Sequence, residues 1–226
     1  LLLLTVDSAT PRLVLGLVRD AKVLEQRCLE DARRHNEALV PTVMEMLEAT
    51  GLGFDDLQAV VVGCGPGPFT GLRVGMVSAM AFADALGIPV TGVSSHQAIA
   101  SQLPGSKVLV VTDARRKEVY YTEVVDGQVH QGPQVCKPAD LPAMDVDTLS
   151  VPQHLQQAVV EQVNATEVVE CYPSAQGLAA VAQFDPPQTP EPLYLRRPDA
   201  KEPQVQLSSA IPHHVPTASP EDSHEG

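Results

Sequence analysis

Tryptophan is absent from this sequence, and aromatic residues make up only 4% of it. Its core must therefore be filled with Val, Leu, Ala and Met, and the apolar share of 44% is the ordinary globular level. Basic residues are scarce too: 15 Lys and Arg against 28 Asp and Glu leave a formal charge of −13 over 226 residues. Nucleic-acid backbones are held by clustered cations. This balance excludes tight unaided binding of DNA or RNA and fits a cytosolic protein, or one whose partner carries the positive surface. The four cysteines, Cys28, Cys64, Cys136 and Cys171, stand far apart. No C-x-x-C pair exists, so a zinc ribbon and a redox dithiol are excluded, and isolated buried thiols in a reducing compartment are expected. No apolar stretch approaches the roughly 20 residues needed to cross a bilayer. Leu1–Leu4 is too short for a signal h-region and lacks a basic flank, so it reads as a buried first strand. The chain opens on Leu rather than Met, and residues upstream are expected.

Leu1–Val6, Leu13–Val18 and Val23–Leu29 read as strands of an antiparallel meander, with Arg19-Asp20-Ala21-Lys22 as a hairpin turn. Leu39, Val43, Met46 and Leu47 recur at helical spacing and predict a helix over His35–Ala49, ended by Gly51 and Gly53. Ala59–Gly63 is a continuous apolar strand of the kind buried on both faces. A glycine-rich turn then opens a helix from Leu72 to Leu86, interrupted only by Arg73, Ser78 and Asp84. A helix so apolar is either core on every side or partly covered by another protein. Val90–Val93 is a strand, and Ser94 or Ser95 caps a short helix to Gln102. Beyond Pro104-Gly105, strands Val108–Thr112 and Glu118–Val125 flank a charged turn, and Asp126-Gly127 starts another hairpin. The rest, to about Leu195, is expected to be less regular, with a helix near Ala175–Phe184. This pattern divides an α/β chain into a first domain, 1–103, and a smaller second one, 104–197. The tail, 198–226, is rich in Pro, Ser, His and acid and is expected to be disordered.

Two segments carry candidate chemistry. Asp7-Ser8-Ala9-Thr10 ends the first strand, where an Asp is either a turn former or a holder of metal and phosphate. Gly65-Pro66-Gly67-Pro68-Phe69-Thr70-Gly71 precedes a helix, and glycines there permit positive φ and close backbone approach to an anion. It is neither a P-loop, lacking Gly-Lys-Ser/Thr, nor a G-x-G-x-x-G fingerprint. Asp7, Thr10, Gly65, Gly67, Thr70 and Gly71 thus form a candidate anion or nucleotide loop, with a rigid helix-packing turn as the other reading. His35 has Leu39 at i+4, so a chelating helical histidine pair is missing and no metal ligand set is assigned. His213 and His214 stand in the acidic tail without fixed geometry. Arg115, Arg116 and Lys117 are the tight basic cluster, either a solvated turn or a contact point.

Read together, several motifs resemble the TsaB (YeaZ) family over roughly residues 1–197. They are Asp7–Thr10, the 34–41 run Arg-His-Asn-Glu-Ala-Leu-Val-Pro, the glycine run through Gly75, Gly92-Val93-Ser94-Ser95, the 113–120 run Asp-Ala-Arg-Arg-Lys-Glu-Val-Tyr, and the 192–196 run Pro-Leu-Tyr-Leu-Arg. Pro68 departs from the family, which usually has Ser there, and this weakens a phosphate role for the loop. The resemblance implies an actin-like ATPase (ASKHA)/RNase H-like fold of two lobes, the second reduced. It implies a non-catalytic cytoplasmic subunit of the complex that installs threonylcarbamoyl on adenosine 37 of tRNA. Such a subunit pairs with a TsaD-type catalytic paralogue, helps recruit a TsaE-type ATPase, meets tRNA through the complex and forms a homodimer when alone. No cofactor is required, though ATP or ADP has a place at the complex interface. The helices at His35–Ala49 and Leu72–Leu86 would supply the partner surface, through His35, Leu39, Met44, Arg73, Met76, Val77 and Met80. Two enzyme readings compete. One is an actin-like ATPase or phosphotransferase using Asp7, Thr10 and the glycine loop, with Asp113 as a second carboxylate. The other is a protease, for which neither metal spacing nor a Ser/His/Asp arrangement is found.

Overall fold

The computed structural model describes residues 1–30 and 35–195. Strands β1 (Leu2–Asp7), β2 (Leu13–Arg19) and β3 (Lys22–Leu29) form the antiparallel meander. Asp20 and Ala21, at φ 49° and 65°, make the two-residue turn whose twist matches the strands. Helix α1 (His35–Ala49) leads to β4 (Ala59–Gly63), which lies parallel to β1. Helix α2 (Phe69–Leu86) crosses over to β5 (Val90–Val93), parallel to β4. The sheet order is β3-β2-β1-β4-β5. Three antiparallel strands followed by two parallel ones joined through helices is the RNase H-like arrangement of actin-type lobes.

Period-two alternation divides this sheet. Leu2, Leu4, Val6, Val60 and Val62 face α1 and α2, where Leu39, Val43, Met46, Leu72, Met76, Ala79 and Ala83 complete one core. Leu3, Ala59 and Val61 face the other way, onto Ala98, Ala175 and Leu178. Both faces are covered, which explains the unbroken apolar reading of β1 and β4. Helix α2 is 18 residues long and apolar enough to reach the lower limit of a membrane span. It connects two adjacent parallel strands and packs Leu72, Gly75, Met76, Ala79 and Ala83 against the sheet, as a crossover helix does. It begins at Phe69 rather than Leu72, because Pro68, at φ −63°, supplies the cap position and its carbonyl accepts from the Leu72 N–H.

The second sheet repeats the first. Strands β6 (Lys107–Asp113), β7 (Val119–Val125) and β8 (Gln128–Cys136) form a meander, and β9 (Met144–Ser150) and β10 (Val163–Val169) add in parallel, in the order β10-β9-β6-β7-β8. The region expected to be irregular thus contains three strands. The reduction lies in the helices. Where the first lobe has α1, the second has only the short turn Pro138–Asp140; where the first has α2, it has Gln153–Leu155 and the five-residue α4 (Gln156–Val160). The helices after each fifth strand are exchanged. Helix α3 (Ser95–Ala100), capped by the Ser94 hydroxyl, packs on β6 and β7, whereas α5 (Ala175–Val181) packs on β1 and β2. Of the cysteines only Cys64 is buried; Cys28 is exposed on an edge strand, and Cys136 and Cys171 are half-buried.

His96, on α3, is wholly buried against the second sheet, with Nδ1 2.8 Å from Thr122 Oγ1 and Nε2 2.8 Å from Thr112 Oγ1. Burial pushes its pKa down to about 3, so the ring is neutral and joins the lobes through two hydroxyls. A depressed folded-state pKa contributes stability that is complete above the usual value of 6.5 and is lost as pH falls towards 3. Urea midpoints measured between pH 7.5 and 4 should therefore drop more steeply for wild type than for His96→Gln. The variant should be less stable at pH 7.5 by about 1–3 kcal/mol, the cost of hydroxyls left unpaired.

Candidate functional site: a helix face and an interlobe cleft

Asp7 closes β1 and is completely buried. One carboxylate oxygen accepts from Ser95 Oγ at 2.5 Å, and the other accepts from the Ala9 N–H at 2.9 Å. Ser95 Oγ also accepts from the Gly65 N–H at 3.2 Å, tying β1, the start of α3 and the glycine loop together. Burial pushes the Asp7 pKa up to about 6, against the downward pull of its two hydrogen bonds. Gly65, at φ +98°, needs the freedom of glycine. A Cβ on Gly67 would run into the Ala9 backbone, and one on Gly63 into the Asp7 carboxylate. Ser8 Oγ donates to the Gly71 carbonyl at 2.6 Å and accepts from the Gly75 N–H at 3.0 Å, bridging successive turns of α2. These glycines bring the loop onto the backbone of residues 8–9, the packing role weighed against an anion cradle.

Between the lobes lies a cleft of about 240 Å³. Thr10, Thr70 and Gly71 line it from the first lobe, while Asp7, Gly65 and Gly67 lie buried behind. From the second lobe come Asp113, His154 and Glu170. Asp113 Oδ2 is 3.3 Å from His154 Nε2, and Asp113 Oδ1 accepts from the Arg115 N–H at 2.7 Å. The six loop residues therefore do not converge on one ligand position. Cys171 also lines the cleft, but burial pushes its thiol pKa up, and the thiol lies 3.6 Å from the Tyr172 carbonyl. That disfavours a thiolate nucleophile. Among the described residues no three His, Cys, Asp or Glu side chains gather to hold a metal ion.

The cleft is bolted at one end. Arg12 stacks 3.9 Å from the Tyr172 ring centroid and pairs with Glu30 at 3.1 Å, while the Tyr172 hydroxyl donates to Glu170 at 2.8 Å. Burial and the neighbouring Glu170 push the Tyr172 pKa up to about 12. Gln102 Nε2 donates to the Ala98 carbonyl and to that of Tyr172, and a Cβ on Gly177 would strike the Ala98 carbonyl. Such close helix packing resists opening and closing.

The second candidate surface is the outer side of α1 and α2. Met44, Val77 and Met80 are exposed at 55%, 57% and 43%, and Arg73 is exposed over the Phe69 ring. Leu39 and Met76, also expected on this surface, are instead core residues at 0% and 5%. Each shares the helical stripe that meets the sheet, Leu39 with Val43 and Met46, Met76 with Leu72, Ala79 and Ala83. The His35 side chain lies outside the described residues, as do Arg196 and the tail. Val40, 44% exposed one turn before Met44, belongs to the face; its i,i+4 spacing from Met44 was the available signal. A strap over 187–194, which takes in the start of the 192–196 motif, also crosses the first lobe. The Gly92 N–H donates to the Gln188 carbonyl, the Leu193 N–H to that of Cys64, and Tyr194 packs 4.8 Å from Phe69.

The raised pKa of Asp7 carries a sign. Its contribution to stability is complete below the usual 3.8 and is lost as pH rises through about 6. Denaturation of Asp7→Asn should move in the variant's favour relative to wild type between pH 4 and 7.5, by up to about 3 kcal/mol. A pH-independent difference would mean that Asp7 is not buried as described.

A family model described as TsaD, tRNA N6-adenosine threonylcarbamoyltransferase, matches residues 23–186. An uncharacterized protein of Mycobacterium tuberculosis is 48% identical over 202 residues, 88% of this chain and 93% of its own length. The tRNA threonylcarbamoyladenosine biosynthesis protein TsaB of Escherichia coli is 32% identical over 127 residues, 54% of each chain. In fold, the chain is similar to a crystal structure from Pseudomonas aeruginosa described as having similarity to peptidase YeaZ. The TM-score is 0.72 at 23% identity, over 86% of this chain and 99% of that one. With the repeated RNase H-like sheets, the family match over most of its length and the TsaB relatives together, this chain belongs to the TsaD family, in its TsaB (YeaZ) branch.

Proposed function

We propose that this chain acts in tRNA threonylcarbamoyladenosine biosynthesis as an accessory, non-catalytic subunit whose α1–α2 face docks a TsaD-type paralogue. The carrying observation is that exposed apolar face. Of the eight large hydrophobic residues exposed among those described (Leu1, Val40, Met44, Val77, Met80, Val129, Val160 and Tyr194), four stand on these two adjacent helices. A groove beside Met80 and Val77 continues along Ala81 and Ile88 to Val90. Flexible Met side chains suit a surface that accepts first a second copy and then a paralogue, so the free protein is proposed to be a homodimer through the same face. In this reading the chain is cytoplasmic, a TsaE-type ATPase joins the assembled pair, and ATP or ADP binds where the subunits meet.

The actin-like ATPase alternative is disfavoured by the placement of Asp7. Its carboxylate is saturated by Ser95 and Ala9 in a dry setting and does not line the cleft, so it and Asp113 do not face a shared position for metal or phosphate. Light scattering on the chain mixed with its paralogue should give a 1:1 complex. Met80→Glu should weaken that complex at least about tenfold by burying an unpaired charge. Val129→Glu, on the second lobe, should leave it intact. No complex with wild type would overturn the reading, and equal losses in both variants would remove the face from it.

A further inference from the structure

The turn joining β6 to β7 holds Arg115, Arg116 and Lys117 in three consecutive left-handed conformations, at φ 63°, 54° and 61°. Side chains with a Cβ rarely adopt this region, and runs of it are rarer than single residues. The other hairpin turns described have two residues there, Asp20-Ala21 and Asp126-Gly127. The conformation is held locally. Asp113 Oδ1 accepts from the Arg115 N–H, the Ala114 N–H donates to the Glu118 carbonyl at 3.0 Å, and the Glu118 N–H donates to that of Arg115 at 3.0 Å. All three cationic side chains are exposed, so burial does not explain residues with a Cβ where glycine or asparagine would be less strained. They form the only run of three cations in a chain of formal charge −13.

The position is informative. Arg115 lines the interlobe cleft beside Thr70 and Val74, and those two residues also line the shallow groove with Arg73 and Val77 on the exposed side of α2. The cationic turn therefore stands at the cleft mouth, next to the face assigned above to the paralogue. We infer that Arg115, Arg116 and Lys117 form a phosphodiester contact for the RNA held by the assembled pair. The proposal rests on the accessory-subunit reading and names the point at which this subunit touches the substrate. An otherwise acidic surface would repel RNA elsewhere, so one fixed basic turn gives a register point rather than a broad binding surface.

The test titrates a fluorescein-labelled tRNA transcript with the chain alone and with the chain plus paralogue, at several salt concentrations. The cluster variant Arg115→Gln/Arg116→Gln/Lys117→Gln is compared with Arg19→Gln/Lys22→Gln/Lys137→Gln, which removes the same charge elsewhere. The cluster variant should bind tRNA roughly tenfold more weakly in the mixture, with the salt slope reduced by about one for each phosphate it no longer neutralises. The control should stay close to wild type, and light scattering should show an undiminished heterocomplex for both. Equal losses in the two variants, or none, overturn the inference. So does a cluster variant that loses the heterocomplex while tRNA affinity of the chain alone is unchanged, since the turn then meets an acidic protein surface. Displacement of tRNA by micromolar ATP would assign the turn to free nucleotide and overturn it equally. If wild type forms no heterocomplex, the accessory reading fails. The salt slope of the chain alone, wild type against cluster variant, then decides the inference.

Discussion

The Asp7 carboxylate accepts hydrogen bonds from Ser95 Oγ and from the Ala9 N–H in a place closed to water, and the first lobe is arranged about it. Asp7 ends the central strand, Ser95 begins the helix that leaves this lobe for the next, and Gly65 starts the loop into α2. Each partner needs the others: the carboxylate is tolerated in the interior because its lone pairs are met, and the loop can lie close because it is made of glycine. The same closeness seats α2 so that Leu72, Met76, Ala79 and Ala83 meet the sheet, which leaves Val77 and Met80 facing outward. The exposed face thus follows from packing at the loop.

The two lobes are versions of one plan. β1 and β6 both lead a three-strand meander, lie at the centre of their sheets and end in Asp. Asp7 is sealed by Ser95, whereas Asp113 stays partly exposed, meets His154 and fixes the first N–H of the basic turn. The exchange of α3 and α5 makes each lobe supply a layer of the other's core, with buried His96 between two threonines of the second sheet. Together with the Arg12–Tyr172 contact, this exchange joins the two lobes at one end of the cleft.

Much of the first lobe was legible because burial on both faces writes itself as uninterrupted Val and Leu. Ala59–Gly63, Val90–Val93 and His35–Ala49 lie where the pattern places them. β8, β9 and β10 were hidden for the opposite reason. Each has a half-exposed face that places Gln, Asp, Asn and Glu among the apolar residues, and β8 is broken by Gly132-Pro133 and by register shifts. The candidate surface was half legible. In α1 the Leu39, Val43, Met46 stripe puts Met44 outside, but in α2 nearly every position is apolar. Small residues stand both inside (Gly75, Ala79, Ala83) and outside (Ala81, Ala85), so the pattern does not tell its two sides apart. The strap over 187–194 was legible only as the motif at 192–196; its course over the first lobe was not, because the hydrogen bonds to Gly92 and Cys64 run through backbone.

The central claim is that α1 and α2 present the face that a paralogous partner covers. Amide hydrogen exchange of this chain, free and with its TsaD-type paralogue, tests it most directly. The account predicts added protection confined to the peptides spanning His35–Ala49 and Phe69–Leu86, with β8 and β10 exchanging as in the free chain. Protection that falls on the second sheet while both helices exchange unchanged would contradict it.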